Sequence, residues 1–253
     1  LIKTSPTLKK VVLWSMRVAS PFQFVNLAAI PRYIGFLSDW HKYKNAGGEA
    51  PFSNLYPCLF DKTSTTGIDY HYFYQAIWAF KKVMANGTSS HVDVGSDVRY
   101  IGMLTAITDV TFVDIRPLEL NLDNYKGMKG SILNLPFGDA SVASLSCLHV
   151  VEHVGLGRYG DAIDPDGSAK ACKELQRVVS RGGNLYFSVP IGVHTTNFNA
   201  HRVHTVEEIV QYFSELTLKE FSVIDDNGNF RERVNPYAFR CAEYANGLFH
   251  FAK

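Results

Sequence analysis

The chain has 253 residues, 46% hydrophobic and 19% charged, with 25 lysines and arginines against 24 aspartates and glutamates. That composition excludes a disordered chain, a collagen-like repeat and a disulfide scaffold, and its near-zero net charge offers no general field to draw in nucleic acid or anionic lipid. The four cysteines, Cys58, Cys147, Cys172 and Cys241, form no CxxC pair, so reduced thiols in a cytoplasmic protein are expected.

Val11–Leu37 is the most apolar stretch, but Arg17, Pro21, Pro31 and Arg32 interrupt it short of the about twenty residues a membrane helix requires. It reads as a packed N-terminal segment rather than a transmembrane one, with an interfacial helix as the alternative. Gly47-Gly48 and the Ser/Thr-rich run Asp61–Gly67 mark loops, which divides the chain into an extension, 1–67, packing on a core, 68–253. The extension is also the candidate surface for a second copy of the chain. Next come Phe73, Ile77, Phe80 and Met84 at helical spacing, with Asp69 as the N-cap and Asn86-Gly87 as the stop.

From residue 90 short apolar runs alternate with helical patterns, as in a parallel sheet with crossover helices. The expected strands are His91–Val94, Val110–Ile115, Gly130–Leu133, Ser141–Leu148 and Asn184–Val189. A helix with the buried stripe Ala171, Leu175 and Val178 precedes the fifth and ends at Gly182-Gly183, and another starts at Thr205 with Glu208 completing a capping box. Leu216–Asp225 and Leu248–Ala252 lack a crossover helix between them and are expected to pair antiparallel. The fold class is therefore α/β: a doubly wound, mostly parallel seven-stranded Rossmann-like sheet with an antiparallel edge strand and an N-terminal helical extension.

In such a sheet the ligand lies beyond the carboxyl ends of the strands. Asp93-Val94-Gly95-Ser96-Asp97 ends the first strand, where a glycine lets backbone approach a ligand. Asp114 ends the second, nineteen residues after Gly95, where a carboxylate can accept two hydrogen bonds from a ribose diol. A dinucleotide pyrophosphate needs GxGxxG, and Gly95-Ser96-Asp97-Val98-Arg99-Tyr100 matches only its first position. S-adenosylmethionine has no phosphates and a cationic sulfonium, so an acidic, glycine-poor turn suits it better.

Asp93-Val94-Gly95-Ser96, Asp114, Gly130–Phe137, His149–Val154 and Leu175–Leu185 together resemble the ordered motifs of class I S-adenosylmethionine-dependent methyltransferases, over residues 90–190. Asp69–Gln75, Glu152–Asp161 and Phe198–Arg202 are similar to a narrower, little-characterised methyltransferase-like group, partly associated with bacterial surface-polysaccharide genes. The resemblance implies that Asp93, Gly95 and Ser96 form the turn beside the methionine part, Asp114 holds the ribose, and Ile132 and Leu133 flank the adenine. Asp97 stands where many members have a second glycine, and Ser131 where many have an acid.

Methyl transfer is an in-line displacement in which the protein aligns donor and acceptor and removes a hydroxyl proton. His149, Glu152 and His153 follow the fourth strand, and an α-helix starting there would put the two histidines on one face at i, i+4. His153 is the first candidate for the base and His149 the second, the latter also packing on the cofactor, with Glu152 orienting the cofactor or a histidine. His201 and Arg202 follow the fifth strand and are expected across the acceptor site, Arg202 gripping an anionic group. Gly155–Asp161 reads as a mobile lid. The histidine pair could instead ligate a divalent metal with Asp161, Asp164 or His201, although no metal is predicted. The expected activity is O-methylation of a saccharide or other polar small molecule, with no nucleic-acid partner; a nicotinamide oxidoreductase and a non-catalytic binding protein of the same fold remain the competing readings.

Overall fold

The computed structural model describes residues 29–253, which fall into two compact units that meet in sequence between Gly67 and Ile68. In the first unit, helix α1 (Ala29–Asn45) has no buried residue, and the Trp40 indole donates to the Ala50 carbonyl at 2.8 Å. Positions 11–28 of the apolar stretch lie outside the described residues. Among the described residues no helix is long and apolar enough to cross a membrane.

The second unit begins with α2 (Tyr70–Asn86). Its N-cap Asp69 accepts from the amides of His71 and Tyr72, and Gly87 ends it in the left-handed conformation, so start and stop both follow from sequence chemistry. The order continues β1 (Ser90–Val94), α3 (Val98–Leu104), β2 (Asp109–Asp114), β3 (Tyr125–Lys129), β4 (Val142–Leu148), α4 (Gly167–Val178), β5 (Val179–Ile191), β6 (Thr195–Asn197), β7 (His201–Val203), α5 (Val206–Tyr212), β8 (Thr217–Ile224), β9 (Phe230–Arg231) and β10 (Ala245–Ala252). One eight-stranded sheet has the order β3-β2-β1-β4-β5-β10-β8-β9. Strands β3 to β5 pair in parallel, and β10 enters antiparallel between β5 and β8. The order reverses between β1 and β4, which opens the ligand crevice there.

Three sequence expectations are corrected. The third strand is Tyr125–Lys129 rather than Gly130–Leu133, which is a turn closed by a Ser131–Asn134 bridge. That strand forms an edge and is mostly exposed, so it carries no apolar run to announce it. Gly182-Gly183 does not end α4; β5 has already begun, and the glycines sit in its irregular early part, where the register against β4 shifts. The stretch after β5, where no strand was among those expected, forms the β6–β7 hairpin.

The two faces of the sheet differ. One packs Leu145, Phe187, Phe249 and Phe251 against α4 and α5, while the other packs Tyr186 and Leu248 against Trp78 of α2 and Tyr100 of α3. On this second face Gln75 accepts from Ser188 at 2.7 Å and from Asn246 at 3.2 Å, joining α2 to β5 and β10 through buried polar groups.

Candidate active site

The turn after β1 is held from below. Asp93 is fully buried and accepts from the amide of Ser96 at 3.0 Å, from its hydroxyl at 2.7 Å, and from the Ser146 hydroxyl of the neighbouring strand β4. His91, two residues back on the same face, meets Ser146 at 2.8 Å through Nε2 and Ser144 at 2.7 Å through Nδ1. Burial drives the His91 imidazole down to about 3, so it is neutral. Since Ser146 donates to Asp93, His91 Nε2–H donates to Ser146 and Nδ1 accepts from Ser144. Burial also raises Asp93 to about 6, against the opposing hydrogen bonds of Ser146 and Ser96. Asp93 therefore shapes the turn and does not line the cleft, which corrects its expected place beside the cofactor.

Gly95 has φ +72°, and a Cβ there would lie 3.1 Å from Val150 Cγ1 and 3.6 Å from Asp114 Oδ2. Only glycine keeps this floor open. Ser96 is buried, its hydroxyl also accepting from the Leu148 amide at 3.0 Å. Asp97 caps α3, and Arg99 grips its carboxylate through Nε and Nη2, both at 3.1 Å, which neutralises the charge beside the turn. At the end of β2, Asp114 Oδ1 accepts from the Arg116 amide at 2.7 Å. Asp114, Gly95, Ile115, Ile132, Leu133 and Val150 line a mostly apolar cleft of ≈ 160 Å³, with Ser131 at its wall. A glycine floor, a diol acceptor and an apolar slot fit the nucleoside half of S-adenosylmethionine.

Past β4 the chain does not enter an α-helix. His149 sits at φ +57° and is followed by a single 3₁₀ turn, Val151–His153. The i, i+4 premise thus fails, yet the two histidines still converge on Glu152. His149 Nδ1 lies 2.7 Å from Glu152 Oε1 and His153 Nε2 3.7 Å from the same oxygen. Burial pushes the Glu152 carboxyl up, but His149 and then His153 outweigh it and hold the group below its ordinary range. In the tautomer whose Nδ1–H donates to Glu152, His149 presents the lone pair of Nε2. That Nε2 is buried and has no hydrogen-bond partner. His153 Nδ1 contacts the Ala200 carbonyl at 2.6 Å.

A second, larger and more polar cavity of ≈ 500 Å³ adjoins the first and shares His149, His153 and Tyr159 with it. One wall is a row of rings: Tyr72 on His149 at 5.3 Å, His149 beside His71 at 5.4 Å, His71 on Tyr244 at 5.2 Å and Tyr244 beside His201 at 4.9 Å. Burial and the Glu152 charge raise Tyr72 and Tyr244 to about 12. Burial and then His149 lower His71 to about 4, and burial lowers His201. At neutral pH His71, Tyr72, His201 and Tyr244 are therefore uncharged. His71 and Tyr244 were not singled out from sequence, although α2 runs into β1 and so must start at the carboxyl edge of the sheet. Of the aromatic residues on α2, Trp78 is core, while Tyr70 and Phe73 are exposed.

Arg202 is not at the acceptor site. Only 5% exposed, it donates through Nη1 to the Val154 carbonyl at 2.6 Å and through Nη2 to those of Asp164 and Pro165 at 3.1 and 3.3 Å. It locks the loop after β4 to β7, and Arg158 is the cation that lines the polar cavity. The Gly155–Asp161 loop closes on Asp161, which accepts from the amides of Gly155 at 2.6 Å and Tyr159 at 3.3 Å, while Lys170 holds Asp164 at 2.6 Å. The loop is therefore tied down rather than an open lid, and neither carboxylate joins the histidine pair as a metal ligand.

This sheet order and crevice are those of a Rossmann-like α/β fold, and solved methyltransferase structures share that fold. Bacillus subtilis YcgJ superposes with a TM-score of 0.51 at 12% identity, over 72% of this chain and 98% of its own. N-methyltransferase NodS from Bradyrhizobium japonicum, in complex with S-adenosyl-L-homocysteine, gives 0.50 at 13% identity over 71% and 85%. A geranyl diphosphate methyltransferase in complex with SAM gives 0.50 at 13% over 71% and 84%. At such identities the likeness shows the fold. A family model described as "Caenorhabditis protein of unknown function, DUF268" matches residues 123–222, from just before β3 into β8. No curated protein matches the sequence.

Proposed function

We propose that the protein is an S-adenosylmethionine-dependent methyltransferase that methylates a hydroxyl of a polar small molecule, with a saccharide as the preferred acceptor class. The observation that carries this reading is His149 Nε2, a buried and unpartnered imidazole nitrogen oriented by Glu152 at the junction of the two cavities. Asp114 holds the ribose diol, Ile132 and Leu133 flank the adenine, and Gly95 and Ser96 border the methionine part. When bound, S-adenosylmethionine supplies an electrophilic methyl group on a sulfonium. His149 Nε2 accepts the hydroxyl proton of the acceptor, and Glu152 stabilises the resulting imidazolium. His149 takes precedence over His153 because its Nδ1 faces a carboxylate, which stabilises an imidazolium, whereas His153 Nδ1 faces the neutral Ala200 carbonyl. The phenols and imidazoles of the second cavity offer the hydrogen bonds and aromatic faces a sugar requires, Asp69, Asp225, Asp226 and Glu243 in the same lining add acceptors for hydroxyl groups, and Arg158 takes the acceptor-facing place first given to Arg202. The sequence resemblance supports a cytoplasmic role in building surface polysaccharide.

The test incubates the purified chain with S-adenosylmethionine and a panel of mono- and oligosaccharides and follows S-adenosylhomocysteine release. His149→Ala should lower turnover by about 10²-fold or more while S-adenosylhomocysteine still binds. Turnover at the unaltered rate in that variant would remove His149 from the mechanism.

A further inference from the structure

A second histidine cluster lies where β5, β7 and α5 meet. His204 is 1% exposed, and neither of its ring nitrogens has a hydrogen-bond partner. Its backbone is fixed on both sides, the amide donating to the Pro190 carbonyl at 3.0 Å and the carbonyl accepting from Gly192 at 2.9 Å. His194, on the turn after β5, places Nδ1 2.9 Å from Glu208 Oε1, and His204 Nδ1 lies 3.8 Å from Glu208 Oε2. One ligating atom from each of the three side chains falls within 4.8 Å of the others.

A buried imidazole with both nitrogens unpaired calls for a partner the protein itself does not provide. The Thr205 amide, at 2.8 Å, already holds Glu208 Oε2 and so fixes the carboxylate in place. Two imidazoles and a carboxylate are borderline-soft ligands that suit zinc better than magnesium or calcium. Tetrahedral zinc, with bonds of about 2.0–2.1 Å, sets its ligand atoms about 3.4 Å apart. The cluster needs only a small contraction, which the exposed His194 can make from its turn.

We propose that His194, His204 and Glu208 bind a zinc ion, with a fourth position open beside His194. The ion would clip the turn after β5 to the end of β7 and the first turn of α5, bracing the hairpin that brings Ala200 and His201 to the polar cavity. This does not depend on the methyl-transfer reading.

The test uses the whole chain, stripped of metal by chelation and titrated with Zn²⁺ by calorimetry and with Co²⁺ by visible absorption. Saturable binding of roughly one ion per chain is expected, with the intense ligand-field bands of a four-coordinate cobalt site. His204→Ala should weaken zinc binding by at least ~10-fold. Glu208→Gln should do the same, and because glutamine still completes the capping box, its metal-free melting temperature will show that the fold has survived. The surface variant His41→Ala should bind as the wild type does. Absence of saturable zinc binding by the folded protein would overturn the proposal, as would affinity unchanged in Glu208→Gln or reduced equally by His41→Ala.

Discussion

The two faces of the central sheet are built from alternate residues of the same strands, yet they are chemically unlike. Toward α4 and α5 the inward positions are Val94, Leu145, Cys147, Phe187, Val189, Phe249 and Phe251, without a polar side chain among them. Toward α2 and α3 the intervening positions include His91, Asp93, Ser144, Ser146, Ser188 and Asn246, all buried. The first face contributes stability through contact area. The second sacrifices some of that area for a connected set of hydrogen bonds whose end is the Gly95-Ser96 turn. The difference teaches where the fold invests in geometry: the polar residues sit under the crevice, where a turn must be held in one conformation.

This contrast can be broken most forcefully on the apolar face. Phe249 is fully buried with Phe221 at 4.9 Å and Phe251 at 5.7 Å, so Phe249→Ala should lower unfolding free energy by ~3–5 kcal/mol in urea titrations. S-adenosylhomocysteine binding by the folded fraction should persist. Should binding fail while the fold persists, the two faces are not separable.

The polar face should respond to pH. The His91 pKa is depressed to about 3 from an unfolded value of about 6.5, so the stability it contributes is complete above 6.5 and is lost as pH falls toward 3. Its loss between pH 6.5 and 5 is ~2 kcal/mol at ~1.4 kcal/mol per unit. Asp93 runs the other way. Raised to about 6, its contribution is present below about 3.9 and lost as pH rises through 6, so it partly offsets His91 on acidification. Asp93→Asn should therefore steepen the acid loss of stability between pH 6 and 4. Urea midpoints measured in half-unit steps would expose an unchanged slope, which would mean that the carboxyl is not held up.

Smaller effects sharpen the picture. Gln75→Leu leaves Ser188 and Asn246 without their shared acceptor and should cost ~1–3 kcal/mol, although it adds apolar surface. Arg202→Ala should cost a similar ~1–3 kcal/mol by unpairing the carbonyls of Val154, Asp164 and Pro165, while the apparent Michaelis constant for the acceptor changes little. Thr205→Ala removes only a helix cap on the apolar side, worth ~1 kcal/mol.

Much of the fold could be read from residues whose chemistry is local. Asp69, Gly87 and the Thr205–Glu208 box each act within a few residues, and β1, β2, β4 and β5 carry apolar runs. What escaped depends on non-local pairing. Strand β3 forms because β2 offers it an edge, and Gly182-Gly183 joins β5 because β4 pairs on both sides of it, at Val179 and Asn184, and Lys253 bonds both glycines. At the site, His149, Glu152 and His153 could be singled out by their place after β4, but the left-handed backbone that swings His149 onto Glu152 could not. Arg202 looked like a ligand for an anion, and nothing in its neighbours announces that three carbonyls from another loop surround it. The period-two pattern of His91 with Asp93 and Ser144 with Ser146 was visible, but only the β1–β4 register shows that these four meet.

Cofactor binding is the central claim, and calorimetric titration with S-adenosylhomocysteine tests it most directly. The wild-type chain should bind saturably, and Asp114→Ala should weaken that binding by ~1.5–3 kcal/mol, or roughly 10- to 150-fold, the range for a hydrogen bond to a charged group. Equal affinity without the Asp114 carboxylate would contradict the placement of the ribose, and tight NAD binding with no response to S-adenosylhomocysteine would contradict the assignment as a whole.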